Sequence, residues 1–363
     1  MAKSGLVPSG ASIKVIGLGG SGCNAVTRMA REQLHGVELI AMNTDAQHLE
    51  ITESTYRVQL GEKLTRGLGS GGDYTIGRQA AEESRDVIRE TVAGSDMVFI
   101  AAGMGGGTGT GSASLVAEMA KKTGALTIAV VTRPFSFEGA HRSKTAEEGI
   151  ESLIDKVDTL IIIQNDRLSE LCDRNTGVDG AFRLADEVLY HGVQAIAEVI
   201  TVPGLVNLDF ADVRSIMKDA GQAWMSIGRG TGENRAVEAA RNALTSPLLD
   251  VSMQGSMGVL FNISGNNLTL NEVNNAAEVV RHAVDPQANV IFGVVLDTNM
   301  GEDVRLTLVA TGFTSKNMIA SKKKEDELTR MLRGIKEDQL DMPSFLRQRS
   351  PVMAQRSAAV RQA

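Results

Sequence analysis

The chain has 363 residues, 42% of them hydrophobic and 22% charged, with a formal net charge of −7 at pH 7. This balance is that of a soluble globular protein with room for two domains and a tail. No apolar stretch approaches the length of a membrane helix, and the first twelve residues lack a signal-peptide core. Cys23 and Cys172 are the only cysteines and lie far apart, which predicts a cytoplasmic, disulfide-free protein. The five histidines show no ligand spacing, so no protein-held metal is expected. Residues 316–363 hold eleven Lys and Arg against six Asp and Glu, which leaves residues 1–315 acidic and argues against nucleic-acid binding there.

In chain order, residues 13–16 predict a first strand, 17–22 a glycine turn and 23–33 a helix. Residues 37–42 and 56–60 predict the next strands. A second glycine-rich loop, 67–73, leads into a helix over 77–92. Residues 97–100 read as a buried strand, followed by 103–111, with six glycines in nine residues, and a helix over 113–121. Strands over 126–132 and 159–164 flank a helix over 143–156. Strands alternating with helices specify an α/β fold with a parallel sheet covered on both faces. Ligands of such sheets bind at the carboxyl ends of the strands.

Phe182, Ala185, Val188, Leu189, Val193 and Ile196 recur at helical spacing, so 180–202 predicts a long helix crossing between two domains. Pro203-Gly204 ends it. Helical residues are expected over 210–223. An α+β layer follows, with helices near 234–245 and 271–284 and strands near 258–264, 290–297 and 305–311. Beyond Phe313 the composition turns charged and polar; this tail is expected to be mostly disordered in isolation, with a helix over 326–335 and with 322–324 as solvated surface.

The run Gly103, Gly105, Gly106, Gly107, Thr108, Gly109, Thr110 and Gly111 sits between a buried strand and a helix. Glycines there let the backbone approach a ligand, and the free amides of the helix start favour anions. Thr108 and Thr110 add hydroxyls, and no lysine is present, so this is not the lysine-bearing phosphate loop of common nucleotidases. Gly17-x-Gly19-x-x-Gly22, between strand and helix, fits a dinucleotide fingerprint and suggests an NAD oxidoreductase with Asp45 on the ribose. Against that reading, Asn43 and Thr44 stand where the acid should end the second strand. Three glycine loops are present where one would serve, and no hydride-transfer site follows. Loops converging on one edge suit a nucleoside triphosphate better.

Residues 103–111 resemble the signature loop of the tubulin superfamily in the form used by the FtsZ family, bacterial cell-division GTPases, and the resemblance extends over about residues 12–347. Gly19, Gly20, Ser21, Gly22, Cys23 and Asn24 resemble the family's first phosphate loop, with Gly71 and Gly72 in a second. Thr132, Glu138 and Arg142 fall at its ribose side; Asn165, Phe182 and Asp186 resemble its guanine site. Phe182 and Asp186, four apart, share a helix face, so a ring can stack on the base while a carboxylate accepts from its N1–H and 2-amine. Glu138 and Arg142, also four apart, read as a surface ion pair or as sugar and phosphate ligands; the resemblance favours the ligands. Asn207, Asp209 and Asp212 resemble the catalytic loop that enters the next subunit's pocket. Helix capping would account for Asp209 alone.

The resemblance implies GTP and GDP as ligands, with Mg²⁺ bound mainly through phosphates and water. It implies a head-to-tail homopolymer whose hydrolysis is completed between subunits, located in the cytoplasm at the midcell division ring. Asp341, Met342, Pro343, Phe345 and Leu346 resemble a peptide that binds membrane-anchor and division proteins, which makes any membrane contact indirect. The implied division is a disordered segment 1–11, a GTP-binding domain 12–178, central helix and catalytic loop 179–222, an α+β domain 223–314, a charged linker 315–340, the anchor peptide 341–347 and a basic tail 348–363. Cys23, Ser70, Asp73, Tyr74 and Ser226 depart from the family's common residues. Asp73 would add negative charge beside the phosphates.

Overall fold

The computed structural model describes residues 10–170, 176–201, 209–249 and 253–313. Cys172, Asn207, the anchor peptide and the rest of the tail lie outside the described residues.

The first half alternates as expected. β1 (Ile13–Leu18), β2 (Glu38–Asn43), β3 (Tyr56–Gln59), β4 (Met97–Gly103), β5 (Leu126–Arg133) and β6 (Thr159–Gln164) run parallel in the order 3-2-1-4-5-6. The helices between them are α1 (Gly19–Arg31), α2 (Ala46–Ile51), α3 (Glu62–Thr65), α4 (Tyr74–Glu83), α5 (Arg85–Val92), α6 (Thr108–Lys122) and α7 (Ala140–Ile154), and α8 (Asn165–Leu168) follows β6. Side chains alternate across the sheet. Val15, Met97, Phe99 and Ile128 join one core with Val26 and Met29 of α1, while Ile16, Val98, Ile100 and Ala129 join another with Ala81, Val116 and Ile150 from α4, α6 and α7. Both faces are covered, which is why these strands read as continuous apolar runs.

α9 (Val178–Thr201) is the long central helix. Val188, Leu189, Val193 and Ile196 share one core with Ile128 and Val130 of β5 and with Leu260 and Val309 of the following strands. After α10 (Phe210–Met217) comes β7 (Gly221–Gly230). β7 pairs in parallel with β6 over Gly221–Ala223, then turns to antiparallel pairing with β10 from Trp224 on. Through it β10 (Val304–Thr311), β8 (Gly258–Gly265) and β9 (Asn289–Leu296) extend one ten-stranded sheet, with α11 (Arg235–Leu244) and α12 (Leu270–Ala283) completing the α+β part. The fold class is therefore the one expected, a mostly parallel α/β sheet joined by a central helix to a smaller α+β part.

Among the boundaries that differ from the sequence reading, four shape the site or the joint between the two parts. α1 begins at Gly19 and α6 at Thr108, so much of each glycine stretch is helix start rather than loop. The helix expected over 77–92 is two helices, broken at Ser84, whose hydroxyl accepts the Gly61 N–H at 2.9 Å. The helix expected over 210–223 ends at Met217; Asp219 and Gly221 take φ of 51° and 68° and turn the chain into β7. Glycine normally weakens a helix by about 1 kcal/mol relative to alanine. Here it is selected by close approach. A Cβ on Gly22 would lie 2.4 Å from the Ala101 carbonyl oxygen, and one on Gly77 would lie 2.2 Å from that of Gly107.

Gly77→Ala therefore forces α4 off the start of α6, because the obstructing atoms are backbone. The expected loss is about 1–3 kcal/mol, read as a lower urea midpoint. An unchanged midpoint would show that the two helices can separate freely.

Candidate functional site

The carboxyl ends of β1, β4, β5 and β6 open onto a cleft of about 390 Å³. Its floor is made of helix starts. α1 begins after Leu18 and α6 after Gly107, and neither capping residue offers a side-chain hydrogen bond to the first turn. The orphan N–H groups of both helices are left for a ligand. The two starts touch: a Cβ on Gly19 would lie 2.8 Å from the Gly109 nitrogen. Gly19, Gly20, Ser21, Gly103, Gly106, Gly107, Thr108 and Gly109 all line the cleft, so two positive helix ends converge on one anion position.

A hydroxyl cluster sits beside them. Thr108 Oγ1 lies 2.6 Å from Thr44 Oγ1 and 3.1 Å from Ser70 Oγ, drawing together residues 64 and 38 positions apart. Thr110 serves the loop instead of facing the ligand: it is buried and its hydroxyl accepts the Gly105 N–H at 2.9 Å. Gly71, Gly72 and Gly105 line an adjoining groove of about 600 Å³, which meets the cleft at Arg142. Asp73 caps α4, its Oδ1 accepting from the Thr75 N–H and hydroxyl, and these bonds hold its carboxyl below the usual range. Asp45 caps α2 by accepting the His48 N–H. Gly22 and Cys23 do not line the cleft; the Cys23 thiol is fully buried on the inner side of α1, and desolvation pushes it up to about 12. It is inert.

The middle of the cleft is lined by Thr132, Pro134, Glu138 and Arg142. Thr132 accepts the Met104 N–H at 2.9 Å through its carbonyl and so fixes the glycine run. Glu138 ends a 3-10 turn, Ser136–Glu138; one carboxylate oxygen accepts the Phe135 N–H at 2.9 Å and the other pairs with Arg142. The ion pair thus forms and also borders the cleft. Asp166, next to Asn165, holds the same turn by accepting the Ser136 N–H at 2.8 Å.

At the far end Phe182, Ala185 and Asp186 project from the first turns of α9. Phe182 makes T-shaped contacts with Phe135 and Phe137, with centroids 5.5 and 6.2 Å away, and is still 39% exposed, so part of its ring is open to a planar ligand. Asn165 is 4% exposed, and its Oδ1 is buried without a partner. A buried acceptor without a donor is costly unless a ligand supplies one. Asp186 is pushed up to about 7, chiefly by desolvation, against the opposing pull of Arg28, the Ser21 hydroxyl and the Asn24 amide. This is a carboxylate waiting for N–H donors. His48 also lines the cleft and bonds Asn24. Like Thr44 and Ser70, it comes from a distant segment and carries no local sequence signal.

Asp209 and Asp212 lie elsewhere. Both are exposed at the start of α10, and Asp209 makes no side-chain cap bond, so capping does not explain it. α10 sits at the amino end of the sheet. Arg214 reaches the Gly124 carbonyl just before β5, and the Met217 carbonyl accepts from Thr159, the first residue of β6. Between that end and the cleft runs the length of β5, roughly 25 Å at about 3.3 Å per residue. Among the described residues no three His, Cys, Asp or Glu side chains gather as a metal site. No helix among them is long and apolar enough to cross a membrane.

The family model "Tubulin/FtsZ family, GTPase domain" matches residues 12–173, and "FtsZ family, C-terminal domain" matches 221–314. Among solved structures the chain is similar to an empty FtsZ dimer of M. jannaschii, at 48% identity and TM-score 0.81, covering 83% of this chain and 88% of that one. A tryptophan-to-tyrosine mutant of FtsZ from M. jannaschii is 47% identical with TM-score 0.82, covering 84% and 92%. CetZ2 from Haloferax volcanii, a GTPγS-bound protofilament, shares the fold at 18% identity and TM-score 0.70, covering 89% and 99%.

Asp186 makes stability depend on pH. Its carboxyl titrates near 7 when folded and near about 3.9 when unfolded. Between these values the folded state holds a proton that the unfolded chain has released, so the ligand-free protein loses stability as pH rises through this window. Asp186→Asn is expected to flatten the urea midpoint against pH over that range. An unaltered slope would place the carboxyl in water.

Proposed function

The chain belongs to the Tubulin/FtsZ family, and on that premise we propose that it is a GTP-dependent, self-assembling GTPase that polymerises head-to-tail into the filaments of a division ring. The observation that carries this reading is the separation of parts. The cleft offers amides, hydroxyls and base-reading groups, whereas Asp209 and Asp212 stand exposed at the opposite end of the sheet. Neither acid can serve the cleft of its own subunit. Each can serve that of a neighbour stacked along the same axis.

In this reading the amides of α1 and α6 hold the triphosphate, and Thr108 and its hydroxyl partners surround its end. Thr132, Glu138 and Arg142 flank the sugar. Phe182 stacks on guanine, Asp186 accepts from N1–H and the 2-amine, and Asn165 completes the edge. Gly71, Gly72 and Gly105 close the adjoining side. Gly22 and Cys23 contribute close packing of α1 and no side-chain contact. Mg²⁺ would neutralise charge on the transferring phosphoryl group; hydroxyl and water oxygens suit so hard a cation, held mainly through the phosphates. Water attacks the γ-phosphorus, the bond to the β-phosphate oxygen breaks, and GDP and phosphate leave. The neighbour's Asp209 and Asp212, with Asn207, orient that water; positioning and charge supply most of the rate.

A head-to-tail contact that does not close yields a filament. The protein would work in the cytoplasm at midcell, tethered through Asp341, Met342, Pro343, Phe345 and Leu346 to an anchor protein.

Two outcomes are expected. Asp186→Asn weakens GTP about ten- to a hundredfold, the worth of charged hydrogen bonds, and gains xanthosine triphosphate, as read by calorimetry. Retained GTP preference would remove Asp186 from base reading. Asp212→Ala binds GTP normally but hydrolyses it about a hundredfold more slowly or worse, and wild-type turnover per subunit rises with protein concentration. A constant rate at dilutions that keep subunits apart would refute the shared site.

A further inference from the structure

His48 occupies the third position of α2, where its N–H donates to Asp45 Oδ1 at 3.1 Å and its carbonyl accepts the Thr52 hydroxyl at 2.8 Å. Held from both sides, its ring reaches across to α1. Nε2 lies 3.0 Å from Asn24 Oδ1, and the adjacent Cε1–Nδ1 edge lies 3.4–3.5 Å from where a Cβ on Gly20 would sit. His48, Asn24 and Asp186 line both the cleft and a second groove, of about 440 Å³, that runs between α1 and α2 past Thr27 and Arg31.

An amide oxygen can only accept, so the imidazole must carry a proton on Nε2. Asn24 is then left with only its –NH₂ to present on its other side. We propose that His48 is a positioning residue for base recognition: by occupying Asn24 Oδ1, it turns the Asn24 amide N–H groups toward Asp186. The reverse amide orientation would set an oxygen lone pair against the carboxylate and remove one of its donors. The Asn24 amide is one of the groups that favour the ionised carboxylate. That form can accept both N–H groups of a guanine edge. The inference rests on the guanine-binding reading above.

The test is calorimetric titration of the nucleotide-free full chain with GDP and inosine diphosphate, which lacks the 2-amine. His48→Leu and His48→Ala are expected to weaken GDP about three- to tenfold, the worth of one neutral hydrogen bond, and to narrow the preference over inosine diphosphate. His48→Gln, whose amide N–H can reach the same oxygen, restores both. In an Asn24→Ala background His48→Leu causes no further loss, because the pair acts as one unit. A merely structural histidine would weaken GDP equally in both backgrounds, which overturns the proposal. So would GDP binding by His48→Leu as tight as that of the wild type, which leaves the guanine reading standing. Wild-type protein that binds no GDP fails the guanine reading first, and the inference with it.

Discussion

The amide donors of the cleft depend on helices that start without side-chain caps and meet at their first turns. A helix start buried without partners leaves several N–H groups unsatisfied. In α1 and α6 the residues at the capping position, Leu18 and Gly107, supply no such partner. The two ends approach because Gly19 and Gly109 have no side chain to hold them apart, while Gly22 lets α1 sink onto β4 and Gly77 lets α4 sink onto the start of α6. The same lack of side chains removes any lysine from the loop. In the proposed reading anion binding then falls to backbone dipoles, whose directions are set by packing and whose charge does not vary with pH.

Neighbouring residues on α9 divide the remaining work. Asp186 faces the cleft. Glu187, about 100° further round the helix, pairs with Arg28 of α1 at 3.2 Å and Arg229 of β7 at 3.3 Å. The two carboxyls are in opposite electrostatic situations. Asp186 is pushed up by desolvation, while Glu187 is held below the usual range first by His191 and then by the two arginines. In the proposed reading, a base that draws Asp186 into its ionised form acts on the same helical turn that ties both halves of the sheet together.

Much of this was legible in the sequence, and the limits were physical. Four strands of the first half were read to within one residue at each end, because burial on both faces makes them continuous apolar runs, whereas β1 and β4 run two and three residues further, into their glycine stretches. Asn165, Phe182 and Asp186 were read from spacing and resemblance, and they meet at one end of the cleft. The helix starts at Gly19 and Thr108 were read as loops, because glycine is a poor helix former and its reason for being there is a neighbour distant in sequence. The last three residues of the helix expected over 210–223 open a strand for the same kind of reason: Gly221–Ala223 pair with β6, far back in the chain. Thr44 and Ser70, noted in the sequence for other reasons, and His48 were not read as cleft residues, because a hydroxyl or imidazole contributed across the sheet edge leaves no periodic trace.

The topology also limits what one subunit can do. In a parallel sheet every strand delivers its carboxyl end to the same side, so loops that follow strands collect there and segments that precede strands collect opposite. α10 precedes β7, and β7 enters the sheet beside the first residues of β6. Any residue at its start is therefore consigned to the amino end, however the side chains are arranged. Asp209 and Asp212 are exposed there, and Asp209 has no capping bond to account for its side chain. Moving them to the cleft would require refolding the joint that holds the two halves together. Stacking a second copy along the sheet axis requires only that one end fit the other. In the proposed reading a centre divided in this way needs no internal change of the fold, and assembly becomes the condition for chemistry.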